Sequence, residues 1–380
     1  MQFRTVFVFS LLQSAGLAAP LEERAPKGSS KPKIILDNDW KTAGFIPFLQ
    51  ALHAGWDVLG RIGTTGDTWA HANSLHAVST LEIGNLSSCI PVYKGSDYPL
   101  LNTPELFQLW QQLHGQLAWQ GAFAPENKTY ETEGNDPTSG DPLRVSKSAF
   151  IEGFPNISYV KDVSAAEFLV QTVRKHPGEV TILAAGPLTN IALAHRLDSN
   201  FAKNAKKLVI MGGYIDVNLL QVTGDDILAD LQNDINLKMD PEGSKIALTA
   251  PFPNITIVGN AANQEFPTEK ELNEMYKVKN SYSTIVHDHY GTMFPYWDET
   301  ATAVALYPEI ITNSTEMYID VDTSYASSTY GNIHAYQEAY VPKAQGLRKI
   351  KMVFSVDGAR VKRQIKDAVQ HPPSCVDLES

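Results

Sequence analysis

Three apolar residues, Ile34-Ile35-Leu36, run directly into Asp37 and Asp39, and this junction constrains the chain more than any other. A short continuous apolar run reads as a strand buried on both faces, the kind found in parallel sheets. Carboxylates at its carboxyl end fall where open α/β sheets bind ligands. The i, i+2 spacing of the two acids aims both side chains to one side of an extended chain. The next segment, Phe45 to Leu52, has a helix-like pattern, as expected of a βα unit.

The same alternation continues along the chain. Strand-like runs are expected at Val58–Ile62, Val180–Ala185, Leu208–Met211, Ile255–Val258, Met317–Val321 and Ile350–Val356, with helices over Ala70–Ile83 and Leu188–Leu197. The fold class that follows is α/β, one large domain with a mainly parallel, doubly wound sheet flanked by helices. With 380 residues, 43% of them hydrophobic, the chain has ample material for such a core. A net charge of −11 with no basic tract argues against a nucleic-acid partner and for a small, polar or cationic one.

The N-terminus reads as a secretory leader: Arg4, an apolar stretch from Val6 to Leu12, then the small residues around Gly16-Leu17-Ala18-Ala19. The expected organisation is a signal peptide at 1–18, a linker or short pro-segment at 19–32, the domain at 33–369 and a tail at 370–380. No apolar stretch reaches the ~18 residues of a membrane span. Five Asn-x-Ser/Thr sequons, at Asn85, Asn127, Asn156, Asn254 and Asn313, agree with an extracellular glycoprotein. Cys89 and Cys375 are the only cysteines. In an oxidising compartment they are able to tie the C-terminal tail to the body, and the sequence leaves open whether they pair.

Two stretches break the alternation. Residues 99–160 carry Trp110, Trp119, Phe123 and a loop-rich run from Gly134 to Pro142, and are expected to be surface decoration whose aromatics pack on the body. Residues 276–297 hold Tyr276, Tyr282, His287, His289, Tyr290, Phe294, Tyr296 and Trp297, and are expected to form a lid.

Polar groups recur beside the apolar runs: Gly63-Thr64-Thr65-Gly66-Asp67, Ala185-Gly186-Pro187-Leu188-Thr189-Asn190, Met211-Gly212-Gly213, Asn233-Asp234-Ile235-Asn236 ahead of Asp240-Pro241-Glu242, and Trp297-Asp298-Glu299-Thr300-Ala301. Each alone is an ordinary turn or helix cap. In this order, from about Lys33 to Val369, they resemble the inosine/uridine-preferring nucleoside hydrolases. That family carries Asp-x-Asp-Pro-Gly-x-Asp-Asp at its first strand end and Gly-Gly-Leu-Thr-Asn-Ile-Ala-Leu-Ala where this chain has Ala-Gly-Pro-Leu-Thr-Asn-Ile-Ala-Leu-Ala.

The resemblance implies an N-ribohydrolase that binds calcium and splits a purine or pyrimidine nucleoside into base and ribose. Asp39 then matches a calcium ligand that is also the general base toward water. Asp298 matches a second ligand, and the Ala185 carbonyl a backbone one. Asn236 matches a ribose contact, Asp234 stands at a position usually held by Glu, and Met211 matches an apolar wall. Asp37 belongs to the same substrate set. A homo-oligomer is also implied.

The chain departs from the family pattern in several places. Trp40-Lys41 replaces Pro-Gly. Ala43 and Gly44 stand at paired aspartate positions, of which the second is normally a calcium ligand and the first a ribose 2′-hydroxyl contact. Trp297 stands where purine-using members have a leaving-group acid. Asp67 stands where Asn is common, and so offers a replacement carboxylate for calcium. His289 or His287 is a candidate replacement acid. Two functions remain open: a secreted N-glycosyl hydrolase with weakly bound calcium, or a catalytically weak or inactive nucleoside- or sugar-binding protein on the same fold. A serine or cysteine hydrolase is disfavoured, because no Gly-x-Ser-x-Gly elbow is present.

Overall fold

The continuous apolar runs become the central strands of one nine-stranded sheet. In the computed structural model, which describes residues 31–41, 44–215 and 234–379, the strands are β1 (Lys33–Asn38), β2 (Asp57–Gly63), β3 (Val92–Lys94), β4 (Val180–Ala185), β5 (Lys207–Met211), β6 (Ile255–Val258), β7 (Ile311–Val321), β8 (Ile333–Tyr336) and β9 (Arg348–Val356). Their order is β3-β2-β1-β4-β5-β6-β9-β7-β8. Strands β1 to β6 and β9 pair in parallel. The expected leader, Ala43 and Asn233 lie outside the described residues.

Alternation along β1 shows why both faces are covered. Ile34 and Leu36 enter one apolar layer, with helices Ile46–His53, Ala70–Glu82, Trp297–Leu306 and Gly358–Gln370. Ile35 enters the other, with helices Ala165–Lys175, Thr189–Leu197 and Pro241–Thr249. Each such side chain is fully buried, which contributes roughly 1.5–3 kcal/mol before the entropy of ordering it. The strand order runs outward in both directions from the β1/β4 pair, so the topological switch point lies between those strands. Asn38 and Ala185 are register partners there.

Two features differ from the sequence expectation. The run ending at Val321 is the end of an eleven-residue strand, β7, antiparallel to both β8 and β9. Its outer face is partly exposed, so its first half lacks the apolar content that marks the central strands. β3 and β8 were not expected; at three and four residues they are too short to carry a pattern.

Cys89 and Cys375 are joined in a disulfide across 286 residues of sequence. Among the described residues no helix is long and apolar enough to cross a membrane.

Candidate active site

The carboxyl ends of β1 and β2 and the start of helix Trp297–Leu306 gather three carboxylates, those of Asp39, Asp67 and Asp298. The Asp67 N–H donates to Asp39 Oδ2 at 2.8 Å, and the Asn38 Oδ1 accepts from the Asp39 N–H at 2.8 Å. Two glycines make the approach possible. A Cβ at Gly66 would lie 2.2 Å from Asp39 Oδ2, and one at Gly186 would lie 2.6 Å from Thr64 Cγ2 and 3.6 Å from Asp39 Cγ. Only glycine lets the ends of β1, β2 and β4 close on one another here.

The three acids are partly buried, and each has a raised pKa. Desolvation pushes the Asp39 carboxyl well above its ordinary value, and the Asp67 charge adds to this. Desolvation likewise raises Asp298, reinforced by Asp39, and raises Asp67. None of the three has an ion-pair partner among the described residues. Beside them the Asn38 Nδ2 is buried without a well-formed hydrogen bond.

Partly buried acids with no ion-pair partner fit a hard divalent cation, which takes carboxylate and carbonyl oxygens. The residues able to hold one are Asp39, Asp67, Asp298 and the carbonyl of Ala185. Among the described residues no three acidic, histidine or cysteine side chains close on one point as a finished metal site. The donor type and the charge therefore fit calcium, while the side chains stand apart.

A second group lies at the end of β5. Asn236 Nδ2 donates to the Met211 carbonyl and approaches its Sδ, both at 3.2 Å. Asp234 caps the helix Ile235–Met239 by accepting from the Asn236 N–H at 3.0 Å. Burial pushes the Asp234 carboxyl up to about 6, against the backbone donors of Asn236, Leu237 and Gly213. So Met211, Asp234 and Asn236 are brought together as the sequence suggested.

Asp37 is placed differently from the substrate-facing position expected of it. It is 1% exposed, and its oxygens accept from Asn190 Nδ2 at 3.0 and 3.3 Å. Asn190 Oδ1 in turn accepts from the Ser96 N–H at 3.0 Å. Burial pushes Asp37 up to about 7, against the Asn190 bond. Its place is behind the site, holding Asn190 and the loop after β3.

The histidines of the second insertion also differ from expectation. His287 stacks on Tyr276 at 4.3 Å and bonds to Asp288 and Asn273, all on its own side of the domain. His289 is exposed on the π-helical turn Val286–Tyr290 and forms no hydrogen bond with a site residue. Trp297 opens its helix beside Phe294, ring centroids 5.5 Å apart, and Phe294 meets Trp119 at 6.2 Å.

Trp119 belongs to the insertion expected to be decoration. Trp110 and Phe123 do pack inward, each no more than 1% exposed. Trp119 instead donates from Nε1 to Asp67 Oδ1 at 2.8 Å. It lines a cavity of about 310 Å³ together with Lys41, Asp67, Gln120, Tyr130 and Asp136. Asp136 is held from behind by His76, whose Nε2 lies 3.0 Å from Asp136 Oδ1 and whose Nδ1 lies 2.5 Å from Glu152 Oε1. Lys41, Trp119 and Asp136 escaped the sequence reading; the one signal was the density of aromatics in an inserted loop. Glu299, beside Asp298, is buried, accepts from the Tyr290 hydroxyl at 2.8 Å, and is pushed by burial up to about 7.

Fold and site together define an α/β protein with a mainly parallel sheet and an acidic cluster at the strands' carboxyl ends. The comparisons sharpen this. A family model described as inosine-uridine preferring nucleoside hydrolase matches residues 34–363. The chain is 36% identical to the Uncharacterized protein C800.11 of Schizosaccharomyces pombe, over 90% of this chain and 86% of that one. It is 25% identical to the Probable uridine nucleosidase 2 of Arabidopsis thaliana, over 89% and 97%. Among solved structures it is similar to a plant nucleoside hydrolase, the PpNRh1 enzyme, with a TM-score of 0.63 and 21% identity over 90% of this chain and 100% of that one. A purine-preferring ribonucleoside hydrolase from Gardnerella vaginalis matches with a TM-score of 0.66 and 17% identity, over 89% and 98%. The chain belongs to the inosine-uridine preferring nucleoside hydrolase family.

Proposed function

We propose that the chain hydrolyses the N-glycosidic bond of a ribonucleoside or related N-riboside, with Asp39 as the general base. The observation that carries this is the placement of Asp39, Asp67 and Asp298 near one another at the carboxyl ends of the sheet, in a chain of this family. Asp39 accepts a proton from water as the water oxygen bonds to the anomeric carbon. The glycosidic bond breaks, and its electron pair leaves with the base nitrogen. Negative charge around it favours the oxocarbenium-like transition state. Calcium held by Asp39, Asp67, Asp298 and the Ala185 carbonyl would orient the water and make it more acidic. Asn236, Asp234 and Met211 then form the sugar's resting surface, and the aromatic group of Trp119, Phe294 and Trp297 faces the base.

Secretion is part of the same proposal. The leader-like N-terminus and the five sequons support it. So does the Cys89–Cys375 disulfide, since such bonds persist in oxidising compartments. A homo-oligomer is proposed from family membership alone.

The test is product detection by chromatography with purified protein, calcium and a panel of ribo- and deoxyribonucleosides. Free base from the unmutated protein is expected, with Asp39→Asn slower by about 10²–10⁴-fold. A second reading, a nucleoside-binding protein without turnover, is favoured by one observation: Gly44 and Trp297 supply neither a ligand carboxylate nor a leaving-group acid. Binding without release of base from any nucleoside would select that reading.

A further inference from the structure

Lys41 is the one cationic side chain lining the 310 Å³ cavity, among the described residues. It shares that wall with Asp67, Trp119 and Asp136. Its ammonium lies over the Trp119 ring, 5.0 Å from the centroid. The same indole donates to Asp67 at 2.8 Å. The backbone fixes this placement, because the Lys41 N–H donates to the Asp39 carbonyl at 2.6 Å and the Gly44 N–H donates to the Lys41 carbonyl at 2.7 Å. Lys41 therefore leaves the same turn that delivers Asp39, and it has no ion-pair partner among the described residues. The acids it faces have none either, apart from Asp136 on His76.

The geometry points to Lys41 as a tethered cation that competes with a divalent metal for the Asp39–Asp67–Asp298 cluster and so sets its affinity. A fixed positive charge at the mouth repels an incoming ion and already offsets part of the negative charge that attracts it. The cation–π contact with Trp119 holds the charge at the cavity wall instead of letting it extend into water. The metal site is the one in the functional proposal, but Lys41's effect on binding is separate from turnover.

Calcium titration of the metal-stripped full chain by calorimetry tests this at physiological salt. Lys41→Met is expected to bind calcium about tenfold more tightly than the unmutated protein, from the removal of one nearby charge at intermediate dielectric. Lys41→Gln should behave like Lys41→Met, and Lys41→Arg like the unmutated protein. Lys94→Met removes a charge already paired with Asp97 at 2.6 Å and should leave the affinity in place. Unchanged or weaker binding by both neutral variants overturns the inference. So does an equal gain in Lys94→Met, or no calcium binding by any variant. If no nucleoside is turned over while the neutral variants still bind calcium more tightly, the functional proposal fails and this one stands.

Discussion

A Cβ at residue 44 would stand 2.8 Å from the Lys41 carbonyl oxygen. Position 44 therefore favours glycine, and the backbone there offers no unstrained place for an aspartate. On the functional proposal, Asp67 is the carboxylate expected to take the vacated charge. It reaches the cluster from β2 through the glycine at 66, and both its backbone N–H and its side chain are engaged, the first on Asp39 and the second by Trp119. Asp67→Asn keeps an oxygen for the Trp119 N–H and removes only the charge. Calcium affinity is expected to fall by roughly tenfold or more, since a hard cation loses a charged ligand, while the melting temperature holds or rises as like-charge repulsion on Asp39 is relieved. Unchanged calcium affinity in that variant would show that Asp67 is not the replacement ligand.

At the scale of elements, a buried imidazole is among the contacts that fix the 99–160 insertion to helix Ala70–Glu82. His76 is fully buried, stacked on Phe150 at 3.9 Å, and held between Asp136 and Glu152. Burial alone would lower its pKa, but the two carboxylates outweigh it and hold it at about 10. The folded value lies above the ordinary 6.5. The stabilisation is therefore complete below about pH 6.5 and is lost as pH rises through about 10. Melting temperature is expected to decline between pH 7 and pH 10, and His76→Gln should flatten that decline while lowering stability overall. Leaving two buried carboxylates without their cation costs about 3–5 kcal/mol. A pH profile identical in the two proteins would remove His76 from this role.

The same comparison shows what the sequence could and could not say. β1 and β4 were legible because each is an unbroken apolar run ending at a polar turn. β7 was half legible because its exposed first half carries no apolar pattern. Asp39, Asp298 and Ala185 were singled out by motif order. Trp119, Asp136 and Lys41 were not, because no local periodicity encodes a loop residue's reach across 52 positions to Asp67 or 60 to His76. Trp40 is a related case. It fills a motif position with an indole that donates to the Ile62 carbonyl at 2.6 Å and stacks on the buried Arg61 guanidinium at 3.8 Å, a pairing that the fold alone reveals.

For the whole molecule, the site depends on seven parallel strands keeping their register across the switch point, while the antiparallel strands β7 and β8 close one side. The chain's last helix, Cys375–Glu379, is held back against the segment after helix Ala70–Glu82 through Cys89. That segment lies in the layer that also carries helices Ile46–His53 and Gly358–Gln370. The bond spans nearly the entire domain, so its removal frees a very long loop in the unfolded state. Loop-closure entropy grows only slowly with length, and long loops still give the larger effects. Reduction, or the Cys89→Ser/Cys375→Ser pair, is expected to cost about 2–5 kcal/mol of stability, read from denaturant midpoints. Cys89 precedes β3, at the amino ends of the parallel strands, whereas the Asp39 cluster lies at the carboxyl ends of β1 and β2. Calcium affinity at temperatures well below the transition should therefore be the same in both forms. Loss of calcium affinity on reduction would show instead that the tail and the site are coupled through the helices between them.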